Sequence, residues 1–569
     1  MKAINFKENQ TGLYEEVKDY INPVKFYMKD IPTECSNLVE ILENKGLNNS
    51  NNAKLLAVAC SSINDGMNIF HALMQQFSDI SQESVSLIYE QCSDDVAKGI
   101  NYPVKIYKDE VKKMVKENRM STIGFIKKEN GKGYYFNANI FVRHMMKRAT
   151  LAIMENGTFI VYKNKGYFEI VDIKVIGKVI RYLMHEVQNN IWLSSRENEI
   201  LRALALEVPM IKELNPMRNY YNVENGMLNI DTLELIEHSP KFLSSVQTPI
   251  PYVKGAVPNL FLKCLDDITL NDRTLVAFIQ ELFGYVLTCE TKAEKAFMFY
   301  GTGSNGKSLI AKIIRALVGE DNCSSISLEQ FSQQFGLENL IGKTLNIASE
   351  NELSSKKMNT ESIKAIISGD PINIQIKYKT ALSYIPICKL LFLVNTLPDT
   401  MDNTYGYYRK MEIVPFKRKF TDEEKELDLF EKLQLEMPGI LNWALEGLHR
   451  LKSNNFQFTK SNAIEDAKKE YEEEQNPVLK FCKDCLVFKK GESIKKNEIL
   501  VAYDRYLRMN SIDDKGSKSC QKFWKLFKAA LDKVGQAYSD KKINGYMHVK
   551  DVSLRDEFLN ESDDLVINF

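Results

Sequence analysis

Hydrophobic and polar positions follow different patterns in different parts of the chain. Helical stretches of apolar residues, such as 54–60 and 70–77, alternate with polar breaks in the first 140 residues. Alternating apolar residues at 158–162 and 166–170 predict a β-hairpin. A helical pattern then continues to about residue 210, so the first third of the chain is predicted to be mostly helical with a small sheet.

Short strands and a long apolar helix are predicted in the next segment. Residues 222–231 and 233–236 have strand character, with a turn signal at Asn225-Gly226, and 275–287 has the pattern of a helix. These elements lead into the part of the chain that carries the most chemical information, at about 291–420.

A glycine-rich loop lies between a predicted strand at 295–300 and an amphipathic helix at 309–317. The loop has the pattern G-x4-G-K-[ST] in its strand–loop–helix context, which makes a chance match improbable. Its glycines let backbone N–H groups point at phosphate oxygens, and the helix N-terminus adds a positive dipole end. The predicted nucleotide-binding residues are Gly301, Thr302, Gly303, Ser304, Asn305, Gly306, Lys307 and Ser308.

Carboxylates follow the next predicted strand, at 342–349. Lys307 is expected to reach the β- and γ-phosphates of ATP, and Ser308 to ligate Mg²⁺. Glu350 at the strand end is the predicted partner for the metal and the attacking water, with Glu352 as a second candidate. The alternative is that both are ordinary surface glutamates.

A predicted hairpin and a buried strand come next. Residues 372–377 and 381–385 would form the hairpin, with Lys377, Tyr378 and Lys379 placed near its tip to grip a phosphate and stack on a base. Taken alone, without the neighbouring motifs, the pattern favours an ordinary solvated hairpin. The continuous apolar run 389–394 predicts a buried parallel strand ending at Asn395, a candidate contact for the γ-phosphate or attacking water.

A cation precedes the next predicted strand, at 411–416. Arg409 there could reach the nucleotide of a neighbouring subunit as an arginine finger, although a single arginine is more often a surface residue. From 421 to 470 the chain is charged and helical around the apolar run 439–445, and a boundary is predicted at 475–477.

The last 95 residues or so are predicted to form a small separate unit. Helices at 494–507 and 519–531 precede a two-stranded wing at 538–542 and 546–549, as in a winged helix. The predicted duplex-DNA contacts on the second helix are Lys518, Lys522, Lys525 and Lys528. A solvated lysine face over an apolar core is the alternative. The spacing of Cys482 and Cys485 favours a core face over a zinc site.

Composition narrows the function classes. The chain has 569 residues, with 44% hydrophobic and 26% charged, so each domain can bury a core. Lys plus Arg and Asp plus Glu are both 75, which excludes a wholly cationic nucleic-acid coat but not a locally basic channel. A charged N-terminus, no long apolar run and ten scattered cysteines predict a cytoplasmic protein without a membrane span.

Together, the loop, the acids, the hairpin, Asn395 and Arg409 resemble superfamily 3 helicases. The similarity is to the phage and plasmid primase-helicase branch, and to replication initiators of staphylococcal pathogenicity islands and chromosome cassettes. It covers about 200–480. Two positions depart from the family pattern: Ser349 precedes Glu350 where the family often has a second acid, and Lys410 stands where it often has a second arginine. Arg409 is therefore the better finger candidate.

The resemblance implies a fold and a function. The fold class is an α/β AAA+ P-loop core with α+β N-terminal domains and a C-terminal winged-helix-like domain. The implied protein is a homo-hexameric, ATP- and Mg²⁺-dependent helicase that moves 3′ to 5′ on single-stranded DNA and initiates replication at the origin of a mobile element. The hairpins of the ring would supply the basic channel that single-strand binding needs.

Two other functions stay open at this point. The only adjacent aspartates in residues 1–200 are Asp94-Asp95, which do not lie on a clear apolar strand, so a primase is not expected there, although a bifunctional primase-helicase is one alternative. The other is an ATP-gated origin-binding protein that does not unwind DNA. The predicted domains are 1–140 (helical, non-catalytic), 141–290 (pre-helicase), 291–420 (ATPase core), 421–470 (helical) and 471–569 (winged-helix-like).

Overall fold

The structure is a computed structural model that describes residues 6–22, 50–61, 66–77, 82–98, 105–350, 360–377, 381–398, 405–510, 512 and 520–555. The chain divides into two compact units that are not contiguous in sequence. Unit 1 consists of 1–216 and 238–245, and unit 2 of 217–237 and 246–569.

Unit 1 combines a helical bundle with a small sheet. Its α-helices are α1 (Phe6–Val17), α2 (Ser50–Ser61), α3 (Gly66–Phe77), α4 (Gln82–Ala97), α5 (Lys105–Thr122), α6 (Ala138–Arg148), α7 (Ile173–Val187) and α8 (Ser194–Glu207). Its strands are β1 (Phe125–Lys127), β2 (Tyr134–Phe136), β3 (Leu151–Met154), β4 (Phe159–Tyr162), β5 (Phe168–Ile170) and β6 (Met210–Ile211).

Helices α2 to α5 share one apolar core in unit 1, and the sheet shares another with α6, α7 and α8. The sheet has the order β5-β4-β3-β6. The helices expected at 54–60 and 70–77 and the hairpin expected at 158–170 are confirmed. Strands β3 and β6 were not predicted, and their parallel pairing rests on only two residue pairs.

Unit 2 carries the phosphate-loop region and the C-terminal segment. Its α-helices are α9 (Asn259–Ile268), α10 (Arg273–Leu287), α11 (Lys307–Val318), α12 (Thr360–Ser368), α13 (Tyr405–Tyr408), α14 (Leu429–Gln434), α15 (Met437–Ser453), α16 (Asn462–Glu474), α17 (Pro477–Cys485), α18 (Lys496–Met509) and α19 (Cys520–Lys533). Its strands are β7 (Tyr220–Val223), β8 (Gly226–Asn229), β9 (Leu235–Ile236), β10 (Ala296–Tyr300), β11 (Cys323–Ser324), β12 (Leu345–Glu350), β13 (Ile372–Ile374), β14 (Leu382–Tyr384), β15 (Lys389–Val394), β16 (Met411–Pro415), β17 (Leu486–Lys495), β18 (Asp540–Ile543) and β19 (Tyr546–Leu554).

A five-stranded parallel sheet forms the centre of unit 2, in the order β11-β12-β15-β10-β16. Successive residues of β10 enter two different apolar layers, because side chains alternate across a strand. Phe297 and Phe299 pack with α10, α11 and α15, whereas Ala296 and Met298 face the layer that contains α12 and α16. Every residue of β15 is buried, as the continuous apolar run predicted.

The C-terminal segment of unit 2 has its own apolar core and a three-stranded sheet, β17-β19-β18. The β18–β19 hairpin turns at Asn544 and Gly545, which both have positive φ (48° and 87°), so the hairpin predicted at 538–549 is confirmed. The first predicted helix begins two residues later than expected. Ile494 and Lys495 belong to β17, whose pairing with β19 extends to Lys495.

Candidate functional site

The glycine-rich loop lies at the carboxyl edge of the parallel sheet, between the end of β10 and the start of α11. Gly303, Ser304 and Gly306 have positive φ (106°, 47° and 84°), so the backbone repeatedly enters the left-handed region. A Cβ on Gly306 would lie 2.8 Å from the side chain of Ile268 in α9. Conformation and space therefore both require glycine at this position.

Two contacts hold the loop against the segment that follows β16. Asn305 donates through Nδ2 to the carbonyl of Phe416 at 3.2 Å, and the N–H of Phe420 donates to the carbonyl of Ser304 at 2.8 Å. Asn305 occupies a variable position of the motif, so the sequence pattern gave no signal for this contact. The loop is thus held on one side by the segment that follows β16, the last strand in the order of the sheet.

Lys307 connects the loop to Asn395, the candidate contact for the γ-phosphate or attacking water. Its Nζ donates to the carbonyl of Gly301, to that of Val394 at 3.1 Å and to Oδ1 of Asn395 at 2.8 Å. Burial lowers the pKa of the Lys307 ammonium. Because β15 lies directly between β10 and β12, the residue after β15 comes beside the loop, and the structure brings Lys307 and Asn395 together.

The acidic strand end lies at the same edge. The register pairs Glu350 with Val394, so the backbone of Glu350 is one strand away from the residue that precedes Asn395. The side chain of Glu350 and the whole of Glu352 lie outside the described residues. Ser308 is the second residue of α11 and is exposed.

The arrangement fits a nucleotide with a bound magnesium ion. Left-handed loop residues followed by the N-terminus of a 12-residue helix aim N–H groups at an anion, and Lys307 supplies a charge. Ser308 Oγ and the Glu350 carboxylate are the oxygen donors that Mg²⁺ prefers. Lys307 at present bonds to protein oxygens, so phosphates would replace some of those contacts.

Arg409 and Lys410 lie at the opposite, amino edge of the sheet, just before β16. The five residues of β10 separate the two edges by about 16 Å. The Arg409 side chain is 54% exposed, with Nη2 3.7 Å from the Glu294 carboxylate. Its carbonyl accepts a hydrogen bond from Lys295 Nζ at 2.6 Å. Arg409 therefore has a fixed backbone and an accessible guanidinium.

Lys410, in contrast, is buried. Its Nζ donates to Glu294 Oε2 and to Ser368 Oγ, both at 2.6 Å. The hydrogen bond from Lys410 lowers the pKa of the Glu294 carboxyl. Sequence reasoning weighed Lys410 only as a weaker finger and missed this role. Its partners lie 116 and 42 residues away in the chain, so no local signal could have found them.

The predicted hairpin exists but is shorter than expected. Strands β13 and β14 pair from Ile372–Tyr384 to Ile374–Leu382, so the first strand ends at Ile374 rather than at Lys377. Lys377 is exposed in the turn that follows, and Tyr378 and Lys379 lie outside the described residues. Ser368, which Lys410 contacts, ends the helix that leads into this hairpin.

The lysines of α19 lie on its exposed face. Lys522, Lys525 and Lys528 are exposed, whereas Phe523 and Phe527 are buried. The Lys528 ammonium lies 4.5 Å from the ring centre of Tyr538. Lys518 lies outside the described residues.

Cys482 and Cys485 are buried in the apolar core of the C-terminal segment, which confirms their core interpretation. Across the described parts of the chain, no three His, Cys, Asp or Glu side chains are grouped so that they could hold a metal ion. No described helix is both long and apolar enough to cross a membrane.

Two family models match parts of the chain. One, described as "D5 N terminal like", covers 138–270, and another, described as "Family of unknown function (DUF5906)", covers 299–410. A protein of Acanthamoeba polyphaga mimivirus named "Putative helicase L207/L206" is 21% identical over 233 residues, which are 38% of this chain and 24% of that protein. The chain thus matches about a quarter of that relative's length.

Structures of the C-terminal region of NrS-1 also align with the chain. One apo form has a TM-score of 0.39 at 14% identity and covers 72% of this chain and 98% of that chain. Another has a TM-score of 0.40 at 14% identity and covers 74% of this chain and 100% of that chain. This mixed α/β chain is thus similar over part of its length to a D5 N-terminal-like domain and to a viral protein named as a putative helicase.

Proposed function

We propose that the protein is an ATP-dependent DNA helicase of superfamily 3, built on an AAA+ core, that initiates replication of a mobile genetic element. The observation that carries this proposal is the hydrogen bond between Lys307 and Asn395. It joins a phosphate-binding loop to a polar group at the end of the neighbouring strand. That pairing serves hydrolysis as well as binding, because Asn395 can sense the γ-phosphate that Lys307 holds.

Each residue at the carboxyl edge has a part in the proposed reaction. The loop residues 301–306 and Lys307 bind the phosphates, and Ser308 with Glu350 would hold Mg²⁺, which neutralises charge on the phosphates. Glu350 would orient the attacking water, with Glu352 as the second candidate. Asn395 would contact the γ-phosphate once Lys307 turns from protein oxygens to the nucleotide.

A ring explains the position of Arg409. Its backbone lies at the amino edge of the sheet, one strand length of about 16 Å from the edge that carries its own loop, and its guanidinium is accessible. It therefore suits the nucleotide of a neighbouring copy, as an arginine finger does. We infer a homo-hexamer with the β13–β14 hairpins in its channel, where Lys377, Tyr378 and Lys379 would contact single-stranded DNA. Movement from 3′ to 5′ is what the family resemblance implies.

The C-terminal segment would bind duplex DNA at the origin. Its second helix exposes lysines on one face and buries aromatic rings on the other, and a hairpin with a tight turn follows it. This order of elements supports a winged-helix domain, in which α19 would enter the major groove.

Strand displacement on a forked DNA duplex tests the helicase proposal. The wild-type chain, Lys307→Ala and the control Lys312→Ala are compared with ATP and Mg²⁺; Lys312 is an exposed residue of the same helix. We expect unwinding by the wild type and the control, and at least a 100-fold lower rate for Lys307→Ala. If the wild type binds DNA but does not separate the strands, the chain is an ATP-gated origin-binding protein and the motor proposal is wrong.

A further inference from the structure

Positive charge is concentrated in one part of unit 1. Residues 105–150 contain twelve Lys and Arg but only four Asp and Glu, in a chain where the two classes are equal at 75. One of the four acids, Glu117, is engaged by Lys127 at 3.0 Å. Arg148 is buried and paired with Glu186 at 2.6 Å, so it does not add to the surface charge. The other cations still outnumber the acids and favour a polyanion, in a region to which the sequence pattern assigned no chemistry.

Helix α5 carries part of this charge as a stripe. Lys112, Lys116 and Arg119 follow each other at helical spacing, and Lys112 and Lys116 are exposed. Val111 and Val115 are buried in the core shared with α2 to α4, which fixes the rotation of the helix about its axis. In sequence, Lys105 and Lys108 continue the same spacing.

The β1–β2 hairpin adds an accessible aromatic ring. In its register Ile126 faces Tyr135 on one side, while Phe125 and Phe136 pair on the other side and pack towards the core. Tyr135 is 48% exposed. The outer face of the hairpin therefore presents a ring that a nucleic-acid base can stack on.

The loop of this hairpin is already ordered for binding. The N–H of Gly131 donates to the carbonyl of Lys128 at 2.8 Å, and the N–H of Lys128 donates to the carbonyl of Gly133 at 3.1 Å. Lys132 donates from its backbone to Asn130 Oδ1 at 3.0 Å. Lys128 and Lys132 thus stand exposed at the two ends of a compact turn. Lys128 directly follows β1, and Lys132 lies two residues before β2, the strand that holds Tyr135.

We propose that these elements form a binding site for single-stranded nucleic acid, separate from the hairpin and winged-helix contacts of unit 2. Its lysines contact phosphates, and Tyr135 stacks on a base. The residues of this basic hairpin site are Lys112, Lys116, Lys128, Lys132 and Tyr135. The site goes beyond the proposed helicase function, since binding there needs neither ATP nor unwinding.

Fluorescence anisotropy with a labelled 30-nucleotide oligothymidylate tests the site in the full chain without nucleotide. All variants carry Lys307→Ala, so the result is independent of ATP hydrolysis. Lys112→Ser/Lys116→Ser and Lys128→Ser/Lys132→Ser each remove two cations. The control Lys174→Ser/Lys212→Ser removes two exposed cations of unit 1 outside the site.

We expect the slope of log affinity against log salt to become shallower by about 0.7 for each lysine that contacts a phosphate, with no change in the control. Tyr135→Ser should weaken binding at least about fivefold, and Tyr135→Phe should retain it. Equal slopes for the site variants and the wild type, or an equal change in the control, would overturn the proposal.

Photo-crosslinking locates the contact. A bromodeoxyuridine-containing strand should crosslink to the tryptic peptide 133–143 of the wild type and the Tyr135→Phe variant, and lose that crosslink in Tyr135→Ser. Crosslinks confined to unit 2 would contradict the site. Two results together would show a duplex site and overturn the single-strand assignment. One is normal single-strand binding by Tyr135→Ser, and the other is an equal loss of single-strand and duplex binding in the lysine variants.

Discussion

Changes at Lys410 and Glu294 should reveal how the buried cation behind Arg409 is stabilised. Lys410→Met keeps the length of the apolar stem but removes both hydrogen bonds of the ammonium. Glu294→Gln instead leaves the ammonium buried with a neutral partner. The Lys410 side chain is 8% exposed and that of Glu294 is 46% exposed, so the two changes should lower the free energy of unfolding by different amounts.

The magnitudes follow from that difference. A hydrogen bond to a charged group contributes about 1.5–3 kcal/mol, but Lys410→Met also relieves the desolvation of the ammonium and leaves Glu294 free to be solvated, so we expect a loss of about 1 kcal/mol. Removing one partner of a buried pair costs about 3–5 kcal/mol. Because Glu294 is half exposed and glutamine still accepts a hydrogen bond, we expect about 2–3 kcal/mol for Glu294→Gln.

The double variant should cost little more than Lys410→Met, since no buried charge then remains. The two changes should therefore be non-additive by about 2 kcal/mol. A pH dependence follows as well. The lowered pKa of Glu294 adds stability above its ordinary value of 4.5, and this stability is lost as pH falls through the lower folded value. In Lys410→Met that loss should be smaller.

Equilibrium urea unfolding followed by Trp443 fluorescence measures these differences. Of the three tryptophans, Trp443 lies in the core of unit 2, so Trp192→Phe and Trp524→Phe form the background. The control Lys425→Met breaks an exposed ion pair with Asp422 and should leave stability close to unchanged. A larger loss for Lys410→Met than for Glu294→Gln, or additive losses in the double variant, would contradict this role of the buried ammonium.

Three other changes have defined outcomes. Gly306→Ala should weaken binding of a fluorescent ATP analogue at least tenfold. Gly303→Ala should weaken it less, because a Cβ at Gly303 meets nothing within 4 Å. Equal losses of affinity would contradict the role of crowding at Gly306. Mixing Arg409→Ala with Lys307→Ala should recover part of the ATPase rate that each variant lacks alone, because some subunit interfaces then combine an intact loop with an intact finger. An ATPase rate equal to the sum of the two separate variants would argue against a finger in trans. Burial lowers the pKa of His144 to about 4, so unit 1 should lose stability, on the order of 3 kcal/mol, as pH falls from 6.5 to 4. Thermal unfolding should show that His144→Phe lacks this loss.

Sequence patterns predicted the elements around the phosphate loop because their signals are local. The apolar runs of β10 and β15 and the glycines between β10 and α11 each lie within a few residues. Because the carboxyl ends of parallel strands lie at the same edge of a sheet, Asn395 was expected at the edge that carries Lys307. The strand order that makes them neighbours is a property of the whole sheet, and it emerges only in the structure.

Other features depend on partners that are distant in sequence. Strand β13 ends at Ile374 because its pairing with β14 ends at Leu382, although the alternation in sequence continues to Lys377. Strand β6 has two residues, too few for an alternating pattern to show. The burial of Lys410 depends on Glu294 and Ser368, so an exposed arginine and a buried lysine stand side by side with no difference in their local pattern.

The path of the chain between the two units limits how the protein can be divided. The backbone leaves unit 1 after 216, returns to it for 238–245 and then leaves again. The returning segment completes unit 1. The N–H of Phe168 donates to the carbonyl of Ser244 at 2.7 Å. Asn215 donates through Nδ2 to Ser245 Oγ and accepts through Oδ1 from the N–H of Ser245. A fragment ending at 216 would lose these bonds and the apolar contact of Leu243. The shortest fragment with a complete unit 1 must therefore extend through 245 and include the β7–β9 sheet of the other unit, so the two units cannot be produced separately by a single cut in the gene.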